Sequence, residues 1–166
     1  MMKIKRKIVV TCLLASILVN VLLIFIYINK KDINTQVLDQ VIFKGIQSNL
    51  IQLEGAIKYQ METEWKNEFH VTEKLDDVVD GVGLAFEVAE RTGQLNYEVQ
   101  VTLWQLYNFL IKYKQDTGFP NTELTEQERK EYIELASRLR SAGWGLNIDH
   151  QSGWDSFKEK LNDLLG

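Results

Sequence analysis

The sequence predicts an all-α protein, an N-terminal transmembrane helix followed by a small bundle of about four to five helices. Three observations carry this expectation. Residues 8–28 form an apolar run of twenty-one residues without one charge. The chain holds a single proline, Pro120. After the run, apolar residues recur at three- and four-residue intervals, the period of one helix face, and strand-like alternation is missing.

A helix of that length, rising 1.5 Å per residue, covers about 30 Å, the thickness of a bilayer's hydrocarbon core. Lys3, Lys5, Arg6 and Lys7 precede the run, and Lys30 and Lys31 follow it. A cleavable signal peptide has a shorter apolar region, about 7–15 residues, ending in a small-x-small site. This run instead ends Ile26-Tyr27-Ile28-Asn29, so the expectation is an uncleaved signal anchor. Cys12 lies inside the run, whereas a lipid-modified cysteine would follow it. Four basic residues stand before the span, and three (Lys30, Lys31 and Lys44) in the comparable window after it. The positive-inside bias then makes residues 1–7 a short cytoplasmic tail, 8–28 the span and 29–166 an extracytoplasmic domain at the cell membrane. Tyr27 falls at the outer interface, where amphipathic rings settle. So short a tail carries no cytoplasmic domain, and an inward signal would pass through a partner's membrane helix.

Charge divides the same way. Residues 1–31 hold six basic and no acidic residues; residues 32–166 hold thirteen basic and twenty-three acidic, a net of −10. An acidic domain is repelled by phosphate-rich surfaces, which sets nucleic acid aside as a partner. One cysteine permits no internal disulfide, and no Asn-x-Ser/Thr acceptor occurs, a pairing that leans toward a bacterial envelope.

The elements follow in order. Over 34–64, Ile42, Ile46, Leu50, Leu53 and Ile57 are spaced 4, 4, 3 and 4 on one face, after a brief break expected near residues 32–35. Gly45 and Gly55 fall near that face, as if a neighbouring helix packs closely. A second helix is expected over 73–91, with Thr72 as N-cap and Gly93 as its stop. Gly81, Ala85 and Ala89 give it a stripe of small residues flanked by Val78, Val82 and Phe86. A third spans 97–115, where Val99, Leu103, Leu106, Leu110 and Tyr113 are spaced 4, 3, 4 and 3 like a bundle seam. Trp104, Tyr107 and Ile111 widen its face, so this helix is expected to sit centrally. Residues 117–121 break it. Thr125-x-x-Glu128 reads as a capping box opening a fourth helix to Ser141, with Tyr132, Leu135, Ala136 and Leu139 inward. Gly143-Trp144-Gly145 ends it. Ser152 or Gly153 opens a last short helix with Trp154, Phe157, Leu161, Leu164 and Leu165 on one side.

Chemical signatures are sparse. Glu73, Asp76, Asp77 and Asp80 share a helix face and could supply some oxygens to a hard cation, but acidic residues also suit a helix N-terminus and no turning loop adds carbonyls. His70 and His150 belong to no metal-ligand spacing. No nucleophile elbow, outer Cys–His arrangement or phosphate-cradling glycine loop occurs. Catalytic residues, metal ligands and cofactors are therefore none. Asn20, with Ser16 close by, could hydrogen-bond a second membrane helix or stand as a tolerated polar residue in a single span. Trp144 and Trp154 could form an aromatic platform for a partner or plug the end of the bundle. The leading functional expectation is a non-enzymatic interaction module anchored in the membrane, binding another envelope protein or itself. A ligand-binding sensor subunit acting through a membrane partner is the alternative, with a wall-active hydrolase behind it. A pocket inside the bundle would favour the sensor, an exposed apolar patch on a solid core the module, and a cleft with two close carboxylates the hydrolase.

Overall fold

The computed structural model describes residues 2–118, 122–148 and 153–166, with side chains from residue 10 onward. The basic side chains of the tail, Pro120, His150 and Ser152 lie outside the described residues. Among those described, all regular structure is helical. The elements are α1 (Met2–Val41), a π-helical turn (Ile42–Gln47), α2 (Ser48–Glu62), α3 (Phe69–Thr92), α4 (Tyr97–Leu110), α5 (Glu126–Ser141) and α6 (Trp154–Leu165). The chain divides into two units, Met1–Gln36 and Val37–Gly166.

The first unit is a single helix, long and apolar enough to cross a membrane. Residues 10–33 expose every side chain, and none of the apolar window is covered by protein, which distinguishes it from the core helix of a bundle. The break expected near residues 32–35 is absent. Thr35 instead donates its hydroxyl to the Lys31 carbonyl at 3.1 Å within continuous helix. No residue there is a glycine or proline, and polar side chains alone do not interrupt the backbone ladder.

The second unit has one core, in which Ile42, Ile46, Leu50, Leu53 and Ile57 are all buried as their spacing requires. The π turn alters how this face meets α3. Gly45 comes against Gly81, and an added Cβ on Gly81 would stand 1.9 Å from the Gly45 carbonyl oxygen. Asn49 holds the junction, its amide donating to the carbonyls of Gly45 (2.8 Å) and Asp77 (3.1 Å). Gly55 faces Leu146 instead, so the two glycines of this segment do not serve one neighbour.

Helix α3 starts earlier than the sequence suggests. Thr72 is buried inside it and donates to the Phe69 carbonyl rather than capping. Gly93 ends it at φ +70°, a conformation that suits a residue lacking Cβ. The small stripe Gly81, Ala85 and Ala89 is buried, as are Val78 and Val82. The Thr125–Glu128 capping box is present in full, and Tyr132, Leu135, Ala136 and Leu139 of α5 point inward. Gly153 precedes α6, which buries Phe157, Leu161 and Leu164.

Polar groups fasten the α2–α5 side of the bundle. Glu54, fully buried, pairs with Lys58 and Arg140 at 2.9 Å each and accepts the Leu146 backbone N–H at 2.8 Å. Burial alone would raise its pKa; the three donors outweigh it and hold the carboxyl below the ordinary glutamate range. Glu68 accepts the Leu124 N–H and pairs with Arg129, tying the start of α3 to that of α5.

Candidate functional site

The surface that stands out is the outer side of α4. Asn96 caps this helix by accepting the Val99 N–H at 2.9 Å. Val99, Leu103, Leu106 and Leu110 then face the core and are buried, with Tyr113 half-buried just beyond the helix. Trp104 and Ile111 do not widen that inner face. They are 56% and 42% exposed, and Tyr107 is half-buried, so α4 is a flanking helix rather than a central one. The reason lies in its composition. Apolar residues surround α4, periodicity marks no single side, and neighbouring helices cover only one.

A second series shares the inner seam's spacing, displaced by two residues: Tyr97, Val101, Trp104, Asn108 and Ile111. At 100° per residue that offset is about 200°, which carries this row to the far side of the helix. Tyr97 is 82% exposed. The Trp104 and Tyr107 rings stack with centroids 5.5 Å apart, and the Asn108 amide donates to the Trp104 carbonyl at 2.8 Å. With Phe86 of α3, the residues Tyr97, Gln100, Val101 and Trp104 line an open groove of about 510 Å³. One charged residue, Glu98, occurs from Tyr97 to Ile111, and it pairs at 2.5 Å with Lys158 of α6, which also reaches Asp155 at 3.2 Å. That pairing holds the Glu98 carboxyl below its ordinary range and the Lys158 ammonium above its own.

A second groove, about 410 Å³, lies between α4, α5 and the end of α6. There Arg138 stacks 4.9 Å from the Phe109 ring centre and donates to the Leu164 carbonyl. Both grooves open on the surface, and no carboxylate side chain lines either.

The aromatics singled out from sequence go elsewhere. Trp144 is wholly buried, donating its indole N–H to Gln47 at 3.2 Å with its ring near Phe157, so it cannot be half of an exposed platform. A tryptophan between two glycines reaches back into the core because the turn at Gly143, φ +86°, directs the chain there. Trp154 is half-buried, packed on Phe157 with Lys158 5.9 Å from its ring. Asn20 and Ser16 are both exposed, and the Asn20 amide donates to the Ser16 carbonyl at 2.8 Å within its own helix.

The acidic stripe is divided by its surroundings. Glu73 faces His70 at 3.3 Å and Asp77 pairs with Lys74 at 2.7 Å. Asp76 turns toward the 114–118 segment and accepts the Asp116 backbone N–H; burial, with the nearby charges of Asp116, Asp80 and Asp77, raises its pKa. The Thr122 hydroxyl, 2.6 Å away, holds Asp116 below the ordinary range. Among the described residues no group of three or more His, Cys, Asp and Glu side chains is arranged to hold a metal ion.

No known protein family, curated protein or solved structure matches this chain.

Proposed function

We propose that this chain is a single-pass membrane protein whose acidic helical head, outside the cytoplasm, is a non-enzymatic protein-interaction module that docks its partner on the outer side of α4. The observation that carries this reading is Trp104, more than half exposed, beside Tyr97, Val101 and Phe86 over a core of buried aliphatic and aromatic side chains. Exposed aromatics clustered in one patch lose water on association and are enriched among residues that dominate binding energy. The sensor alternative calls for an enclosed pocket with convergent polar groups, whereas the two grooves that flank α4 among the described residues open on the surface. The uncovered apolar window of α1 supports the anchor, and the basic residues before it support the orientation.

The test is capture in intact membranes. A photoreactive side chain at Gln100, in the groove, is expected to trap a defined protein on illumination. The same group at Lys130, exposed on α5, is expected to trap none. Absence of any protein adduct from position 100 refutes the reading. Orientation is read with the same cells: in a Cys12→Ser background, Lys130→Cys is expected to react with a membrane-impermeant maleimide before lysis. Labelling only after lysis places the head in the cytoplasm.

A further inference from the structure

We infer that α1 pairs in the bilayer with α1 of a second copy through Asn20. This rests on the anchor in the reading above and is independent of the α4 face. Asn20 stands near the middle of the 8–28 run, and residues 10–33 expose every side chain, so no other part of the chain covers its amide. That amide donates one hydrogen to the Ser16 carbonyl at 2.8 Å. Its second hydrogen and its oxygen are left over, and hydrocarbon offers neither a donor nor an acceptor. What satisfies them there is a polar side chain on a neighbouring membrane helix.

Depth selects the occupant. The uncharged run, with Lys3, Lys5, Arg6 and Lys7 before it and Lys30 and Lys31 after it, sets one height and one direction for the helix in the bilayer. A second copy therefore brings its own Asn20 to the same height with no further requirement. An amide is both donor and acceptor, so the two leftover hydrogens and oxygens answer each other across a two-fold axis along the membrane normal, an isologous contact. Cys12 and Ser16 precede Asn20 in four-residue steps, each turning about 40°, so all three share one face. Directly across the helix from Ser16 stand Leu14, Leu18 and Phe25. Small side chains beside the amide let two backbones approach closely enough for it to reach its counterpart. No like charges meet at the contact, because the nearest, Lys7 and Lys30, lie about 20 Å and 15 Å along the axis from Asn20. The basic tails and acidic heads of two copies do repel, but outside the hydrocarbon, where water and salt screen them.

The experiment uses the full chain in native membranes, oxidised with copper phenanthroline, and needs no engineered residue for its first arm. Native Cys12 is expected to give a disulfide-linked product of twice the chain mass. In a Cys12→Ser background, Leu14→Cys sits at nearly the same depth on the opposite side of the helix and is expected to give little. Adding Asn20→Leu to the native chain is expected to lower the Cys12 product about fivefold, while Asn20→Gln, which keeps a donor and an acceptor, retains most of it. Leucine suits both helix and hydrocarbon, so the Asn20→Leu chain stays in the membrane, checked by resistance to alkaline carbonate extraction. Equal yields from Cys12 and Leu14→Cys overturn the inference, as does a Cys12 yield that survives Asn20→Leu, or no product from either position. Failure of the anchor is read separately. If carbonate releases the native chain from membranes, the anchor falls and this pairing with it; if the chain is retained without an Asn20-dependent product, only the pairing falls.

Discussion

Gly81 is where the packing of the head leaves the least room. A Cβ placed there meets the Gly45 carbonyl oxygen at 1.9 Å and its carbon at 2.6 Å, both backbone atoms that cannot swing aside. Gly81→Ala therefore forces α3 away from the π turn by about 1 Å, and overpacking of this kind costs about 1–3 kcal/mol. The gain in helix propensity from glycine to alanine, about 1 kcal/mol, opposes it. The clash wins because separation also stretches the Asn49 bond to the Asp77 carbonyl and loosens Ile42, Ile46 and Val78 together. The expected net loss is about 2 kcal/mol, a large share of a typical domain's stability. The control is Gly83, two residues along the same helix, where an added Cβ meets nothing within 4 Å. Gly83→Ala is expected to stabilise by about 0.5–1 kcal/mol through propensity alone. Gly45→Ala is tolerated although it lies at the same contact, because its Cβ would stand 3.7 Å from the Gly81 Cα, an ordinary separation. Urea unfolding of the full chain in detergent, followed by far-ultraviolet circular dichroism and by tryptophan fluorescence, to which buried Trp144 contributes, measures all three. A Gly81→Ala midpoint at or above wild type, or Gly81→Ala and Gly83→Ala shifting in the same direction, refutes the close approach.

Three further outcomes follow from the same geometry. Because Glu54 has a depressed folded-state pKa, its contribution is full above the unfolded glutamate value of about 4.3 and is lost as pH falls through the folded value; Glu54→Gln is expected to lose about 1–3 kcal/mol at pH 7 and to show a flatter acid limb in thermal melts. Asp76 has the opposite sign. Its raised pKa means that its ionisation opposes folding once pH rises past the unfolded value, so Asp76→Asn, which still accepts the Asp116 N–H, is expected to match or exceed wild-type stability at pH 7 and to lose that advantage in acid. Thr125→Ala removes half of the capping box and is expected to cost about 1 kcal/mol in the same urea titration.

The helix long and apolar enough to cross a membrane was legible from residues 8–28 because the length and composition of an uncharged run are read without tertiary context. The capping box at Thr125, the stop at Gly93 and the buried rows of α2 and α5 were legible for a similar reason: backbone geometry and periodicity act within a few residues. The start of α3 was not. Thr72 carries a capping side chain, yet its hydroxyl finds the Phe69 carbonyl inside a helix already running.

The candidate site divides the same way. The outer row of α4 was present in the sequence, two residues out of step with the inner one, but two apolar rows on one helix do not say which is covered. Only the packing of the neighbouring helices decided that Leu103 and Leu106 go in while Tyr97 and Trp104 stay out. Trp144 and Trp154 look alike in sequence, each after a glycine, and only the fold sends Trp144 to Gln47 and leaves Trp154 at the margin. Local chemistry fixes which residues form helices. Which side of a helix meets water depends on contacts between residues far apart in the chain, and those exist only once the bundle has closed.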